Sequence, residues 1–155
     1  RSAAVIVGRG ELQEKLRQMV EQLQLEDRVV LFGQIPKTDV LSLLREASAG
    51  YISLRPEPLF RFGVSPNKLF DYMLAALPVL FAVRAGNDPV AEAGCGVTVD
   101  PGDPQAISAG ITQLAALTED ARQAMGDRGR AYVVQRHGYR QLAQDYLRLL
   151  KLDTP

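Results

Sequence analysis

The chain has 155 residues, of which 46% are hydrophobic, and its 18 basic side chains balance 18 acidic ones. This composition excludes a disordered chain and predicts one globular domain. The neutral net charge argues against a nucleic-acid partner, which would favour a basic surface. A single cysteine, Cys95, and a single histidine, His137, argue against a disulfide framework and against a metal site. We expect Cys95 to be a small packed residue.

Short apolar runs alternate along the chain with segments of helical periodicity. The predicted strands cover residues 3–7, 29–32, 49–54, 79–83 and 96–99. The predicted helices cover residues 11–25, 36–47, 66–77, 88–93, 103–117, 118–136 and 139–151. This alternation is typical of an α/β fold, in which one parallel sheet carries helices on both faces. No strand follows the last two helices, so we expect them to pack across the domain or onto a missing neighbour.

Arginines lie near three of the predicted strand ends. Ligands of open parallel sheets bind beyond the carboxyl ends of the strands, and Arg9, Arg55 and Arg84 each lie within two residues of such an end. Arg61 lies in the long loop of residues 55–64 on the same predicted edge. These arginines either form a positive rim that attracts an anion such as phosphate, or are ordinary solvated loop residues.

Two glycine-containing turns follow the first two predicted strands. Gly8, Arg9 and Gly10 match the first half of a glycine-rich phosphate turn, but Gln13 stands where its third glycine would be. The sequence therefore leaves open a phosphate contact or a tight turn that needs glycine. The second turn, residues 33–36, allows a planar ligand to approach the backbone closely or is a simple turn.

The start of the helix predicted at residues 66–77 carries three polar side chains on one face: Asn67, Lys68 and Asp71. Ser65 and Pro66 are typical of the cap and first position of a helix. The helix dipole disfavours Lys68 in the first turn, and a bound phosphate would relieve this repulsion. The Asp71 carboxylate could accept hydrogen bonds from ribose hydroxyls. The alternative is a simple surface ion pair between Lys68 and Asp71.

Several motifs, taken in order, resemble those of group 1 retaining glycosyltransferases with the GT-B fold. They cover residues 5–10, 28–36, 65–79, 94–97 and 100–104. The resemblance implies a Rossmann-like, C-terminal lobe that binds a nucleotide-sugar. It also implies that residues 33–35 approach the nucleobase, that the helix after Ser65 faces the diphosphate and sugar, and that Asp71 binds the ribose.

The chain departs from the family pattern at two positions. Gly63 stands where the family has the first of two glutamates, and Ala76 replaces a glycine before Pro78. We expect Asn67 or Lys68 to take over the missing donor contact. The predicted donor-binding residues are Gly8, Arg9, Gly33, Gln34, Ile35, Arg61, Ser65, Asn67, Lys68 and Asp71. No catalytic residue is predicted.

The resemblance predicts the donor half of a glycosyltransferase, with a UDP-sugar favoured as donor and with neither metal nor cofactor. The acceptor would be a glycan or lipid-linked acceptor in bacterial surface polysaccharide or lipopolysaccharide synthesis. We expect the chain to be one lobe of a longer, two-lobed enzyme that lacks its N-terminal lobe here. That enzyme would be cytoplasmic and would meet the inner face of the membrane, if at all, through the missing part. A nucleotide-sugar epimerase lobe and a non-catalytic Rossmann-like module remain alternatives.

Overall fold

The computed structural model describes residues 3–150. Its strands are β1 (Ala4–Val7), β2 (Val29–Phe32), β3 (Gly50–Ser53), β4 (Val79–Ala82) and β5 (Gly96–Thr98). Its α-helices are α1 (Gln13–Gln22), α2 (Lys37–Glu46), α3 (Asn67–Leu74), α4 (Pro89–Ala93), α5 (Pro104–Ala115), α6 (Glu119–Arg136) and α7 (Tyr139–Leu149). Every predicted element is present, and its described ends differ from the predicted ones by at most three residues. Residue 151, the predicted end of the last helix, lies outside the described residues.

The chain divides into two compact units, and the boundary between Ser42 and Leu43 falls within α2. In the first unit, β1 and β2 pair in parallel, with Ala4 opposite Val29 and Val7 opposite Phe32. The α1 helix connects the two strands, as expected for a parallel crossover.

The second unit contains a parallel sheet in the order β3-β4-β5. In this sheet Gly50 lies opposite Val79, which lies opposite Gly96. The predicted parallel α/β architecture is confirmed, with a two-stranded ladder in the first unit and a three-stranded ladder in the second. Apolar runs specify which segments become strands, but they do not specify which strands pair.

The core of the second unit surrounds β4, whose four residues are all buried. Leu69 and Met73 of α3 are fully buried against it. Cys95 belongs to the same cluster and has no exposed surface, so its prediction as a packed residue is also confirmed. Burial raises the pKa of its thiol to about 11.

Two helices begin with an aspartate cap followed by a proline. The Asp88 carboxylate accepts hydrogen bonds from the amides of Val90 and Ala91 at the start of α4. Asp103 caps α5 in the same manner. In both helices a proline follows the cap, where its missing N–H costs no hydrogen bond.

The α6 helix packs across α3 through small residues. Gly126 lies so close to the backbone carbonyl of Ala76 that no side chain would fit there, and Gly129 lies against Cys95. The Tyr132 hydroxyl donates a 2.8 Å hydrogen bond to Glu92 of α4. The expectation that a C-terminal helix packs across the domain is therefore confirmed for α6.

Several apolar side chains of the α7 helix are exposed in the described part of the chain. Tyr139 is 93% exposed and Leu149 is 82% exposed. None of the helices between residues 3 and 150 has the length and apolar character required to cross a bilayer.

Candidate functional site

The α3 helix begins at Asn67, one residue later than predicted. Pro66 occupies the capping position with extended backbone angles (φ −69°, ψ 122°), and no side chain caps the helix. The prediction of Ser65 as the cap and Pro66 as the first helical residue is therefore wrong. Because Pro66 keeps an extended ψ, Ser65 lies too early to reach the first-turn amides. The amino end of α3 thus lacks the side-chain acceptor that helices commonly use there.

The polar residues predicted on α3 lie together on its first turns. Asn67 and Lys68 are exposed, and Asp71 is partly buried. Among residues 3–150, Lys68 forms no ion pair, so the simple surface pair between Lys68 and Asp71 is absent from the described structure. Burial and the nearby Asp71 carboxylate raise the pKa of Tyr72, the next residue of the helix. The first turn therefore presents an ammonium group that forms no ion pair with any residue of 3–150.

The segment that leads into α3 is more ordered than the predicted loop. Residues Pro58–Phe62 form a short 3₁₀ helix. The Gly86 amide, which follows β4, donates a 2.8 Å hydrogen bond to the carbonyl of Phe60. A side chain at Gly86 would collide with the Arg61 carbonyl. The loops after β3 and β4 are therefore in direct backbone contact.

Asn87 anchors the same segment through its side-chain amide. Its oxygen accepts a 2.8 Å hydrogen bond from the Val64 amide, and its nitrogen donates a 3.0 Å bond to the Val64 carbonyl. Gly63 has φ +106°, and a Cβ there would lie 3.2 Å from the Asn87 oxygen. Sequence reasoning did not identify Asn87, because 23 residues separate it from Val64.

The predicted arginine rim is only partly available to a ligand. The Arg84 guanidinium bonds the Asp100 carboxylate at 2.8 Å, and this hydrogen bond raises the pKa of Arg84. The Arg61 guanidinium lies 4.5 Å from the centre of the Phe62 ring. Arg84 is therefore not a free cation, because the Asp100 carboxylate at the end of β5 supplies its counter-charge.

An open depression of about 410 Å³ lies between the ends of β4 and β5. Its polar lining groups are largely satisfied by one another and by the backbone, because Arg84 pairs with Asp100, Asn87 binds Val64 and Asp88 caps α4. The uncapped first turn of α3 is the stronger candidate for an anion.

The predicted residues of the first unit lie at the ends of its two parallel strands. The Gly8 amide donates a 3.2 Å hydrogen bond to the Phe32 carbonyl, which places Gly8 and Gly33 at the same edge of the ladder. Gly8 has φ +138°, which favours glycine. The five residues predicted in this unit therefore lie in the two turns that follow the paired strands β1 and β2: Gly8, Arg9, Gly33, Gln34 and Ile35.

Within residues 3–150, no group of three or more histidine, cysteine or acidic side chains is arranged to hold a metal ion.

The profile of the family described as "Glycosyl transferases group 1" matches residues 2–132. The chain belongs to the group 1 glycosyltransferases. It is 30% identical over 132 residues to WcaL of Salmonella typhimurium strain LT2, a protein assigned as a colanic acid biosynthesis glycosyltransferase. That match covers 84% of this chain and 32% of WcaL.

Solved structures share the fold of this group 1 glycosyltransferase chain. Alr3699/HepE of Anabaena, solved in complex with UDP, has a TM-score of 0.78 at 23% identity, over 98% of this chain and 41% of HepE. The sucrose-phosphate synthase of Thermosynechococcus elongatus has a TM-score of 0.74 at 22% identity, over 96% of this chain and 39% of the synthase. WaaG, a glycosyltransferase of lipopolysaccharide biosynthesis, has a TM-score of 0.66 at 22% identity, over 84% of this chain and 33% of WaaG. The chain thus spans between about a third and two fifths of the length of these four relatives.

Proposed function

We propose that this chain is the donor-binding lobe of a glycosyltransferase and binds a nucleotide-sugar, with a UDP-sugar favoured. The family match over residues 2–132 is the observation that carries the proposal. One relative supports the nature of the ligand: structures of HepE contain UDP and UDP-glucose. WcaL and WaaG support a role in the synthesis of bacterial surface polysaccharide or lipopolysaccharide.

The diphosphate would bind at the amino end of α3. The first-turn amides of an uncapped helix attract an anion, and Lys68, which forms no ion pair within residues 3–150, adds a positive charge beside them. Ser65 and Asn67 would contact the diphosphate or the sugar, and Asp71 would accept hydrogen bonds from the ribose. Arg61 lies in the segment before α3, and its guanidinium would also contact the donor.

The other proposed donor contacts lie in the first unit and rest on the family resemblance. The turn that contains Gly33, Gln34 and Ile35 would approach the nucleobase. Gly8 and Arg9 would contribute a backbone or guanidinium contact.

In the whole enzyme, this lobe would stabilise the leaving group. Negative charge builds on the diphosphate as the bond to the sugar breaks, and fixed amides and a cation lower the energy of that state. We propose a retaining reaction, with the acceptor bound by a separate N-terminal lobe and with no metal ion. The 155-residue chain alone would bind nucleotide weakly and would transfer no sugar.

Calorimetric titration of the chain with UDP, GDP, ADP and NADH tests the proposal. We expect UDP to bind more tightly than NADH. Binding of NADH alone would instead indicate a dinucleotide module, and no heat with any of the four at millimolar concentration would favour a non-catalytic module. In the whole enzyme, release of an isomerised sugar nucleotide instead of a glycoside would indicate an epimerase.

A paired substitution tests the ribose contact. Asp71→Asn should weaken UDP binding about tenfold or more, because hydrogen bonds to a charged group are worth about 1.5–3 kcal/mol. Asp127→Asn removes an equal charge from an exposed position on α6 and should leave the affinity unchanged. Equal affinities in the two variants would contradict the role of Asp71.

A further inference from the structure

Asn87 is the side chain that fixes the backbone immediately before the proposed diphosphate site. Its amide bonds both the N–H and the C=O of Val64, and Ser65 and Pro66 then lead into α3. A paired amide of this kind imitates the hydrogen bonds of a neighbouring strand, so it restrains both the position and the orientation of the Val64 peptides. The direction in which the chain enters α3 follows from that restraint.

Gly63 and Asn87 form a matched pair. The Gly63 backbone has φ +106°, a conformation that residues with a side chain rarely adopt. A Cβ would also lie 3.2 Å from the Asn87 oxygen and 3.4 Å from its Cγ. The glutamate that the family resemblance places at position 63 is therefore incompatible with this arrangement of the loop. Because both polar atoms of the Asn87 amide are bonded to Val64, Asn87 cannot directly replace that glutamate as a sugar ligand.

We propose that Asn87 is a positioning residue for donor binding, and that it acts by holding residues 63–66 so that the first-turn amides of α3 face the diphosphate. The inference rests on the proposed function, because it needs a donor at α3. Without the amide, the segment would keep its backbone contacts to Phe60 but would lose the only side-chain hydrogen bonds to Val64 among residues 3–150. Nucleotide binding would then have to supply the free energy that orders the segment, so the affinity for the nucleotide would fall.

Asn87→Ala and Asp103→Ala form a matched pair for the test. Each substitution removes one side chain that makes two hydrogen bonds to backbone. The Asp103 side chain caps the start of α5, whereas the Asn87 side chain binds the backbone that leads into α3. A general loss of stability would therefore affect both variants, and a loss of positioning would affect Asn87→Ala alone.

Two measurements on the 155-residue chain decide the inference: amide hydrogen exchange at Val64 and titration with UDP. We expect Asn87→Ala to accelerate exchange at Val64 at least tenfold and to weaken UDP binding about tenfold. Asp103→Ala should leave both near the values of the parent chain. Asn87→Asp keeps the acceptor for the Val64 amide but loses the donor to the Val64 carbonyl, so it should cause an intermediate loss of UDP affinity. This variant replaces Asn87→Ala in the test if the alanine variant fails to fold.

Unchanged exchange and unchanged UDP affinity in Asn87→Ala and Asn87→Asp would overturn the inference. Faster exchange with unchanged affinity would also overturn it, because the amide would then be merely structural. If the parent chain binds no UDP while Val64 exchange still depends on Asn87, the proposed function fails and the donor-positioning role fails with it. If the parent binds UDP and the variants match it, the positioning role alone fails.

Discussion

The Arg84 guanidinium and the Asp100 carboxylate lie 2.8 Å apart and connect the ends of β4 and β5. The pair accounts for one of the arginines that the sequence placed on a positive rim. Both side chains remain largely exposed, at 68% and 64%, so solvent screens the interaction and the pair has little effect on stability. Its main consequence is electrostatic, because Asp100 cancels the field that Arg84 would otherwise direct at an anion.

Arg84→Ala should therefore change UDP affinity by less than about twofold, whereas Lys68→Ala should weaken it severalfold. The two substitutions remove the same formal charge, but only Lys68 lacks an ion-pair partner among residues 3–150. Titration calorimetry at low ionic strength measures both changes. A larger loss in Arg84→Ala than in Lys68→Ala would mean that the anion binds between β4 and β5.

Lys68→Glu should move stability and binding in opposite directions. A carboxylate in the first turn of a helix interacts favourably with the dipole, so the free energy of unfolding should rise by about 0.3–1 kcal/mol. The same substitution should abolish UDP binding at millimolar concentration, since it places negative charge beside the diphosphate. Urea unfolding and calorimetry measure the two effects.

Lys37→Glu is the control for this experiment, because Lys37, the first residue of α2, also lies in the first turn of its own helix. It should give a similar gain in stability while UDP still binds. Loss of binding in both variants would show that net charge, and not the position of Lys68, is responsible.

Ala76→Gly should stabilise the chain, which is unusual for a substitution to glycine. Ala76 has φ +55°, a left-handed conformation that costs a side-chain-bearing residue about 1–2 kcal/mol. Glycine removes that cost but loses about 0.5–1 kcal/mol of backbone entropy on folding, so the net gain should be about 0.5–1 kcal/mol. Ala75→Gly, at φ −75°, should be destabilising by about 0.5–1 kcal/mol. Chemical denaturation that ranks the two variants in the reverse order would refute this explanation.

Cys95 should make the chain less stable in alkaline solution. Its thiol pKa is raised by burial from 9.0 to about 11, so the stabilising contribution of the neutral thiol is complete below pH 9 and is lost as the pH rises towards 11. The loss should be on the order of 2 kcal/mol. Cys95→Ala should lower the stability at pH 7 through the cavity it leaves, yet show a shallower decline above pH 9. Parallel declines in the two proteins would rule out the thiol as the cause.

The sequence predicted the elements well because each leaves a local signal. The buried run of β4 and the Asp88-Pro89 and Asp103-Pro104 helix starts are specified by neighbouring residues alone. The predicted start of α3 was wrong. The same local rule favoured Ser65 as the cap, whereas the backbone stays extended through Pro66 and the helix begins at Asn67.

The details around the site depend on contacts between distant residues. The pairing of Arg84 with Asp100 spans 16 residues and the contact of Asn87 with Val64 spans 23, and neither leaves a periodic or compositional trace. The separation into two ladders likewise depends on strand partners and not on strand propensity. By contrast, the grouping of Asn67, Lys68 and Asp71 was predictable, because helical spacing alone brings them together.

The most direct test of donor binding at α3 is a UDP titration of the isotopically labelled chain, followed by NMR of the backbone amides. We expect the largest shift changes at Asn67 and Lys68, with further changes at Asp71, and we expect Lys68→Glu to abolish them. Saturable UDP binding that leaves the amides of residues 65–71 unchanged would contradict the assignment of α3 as the diphosphate site.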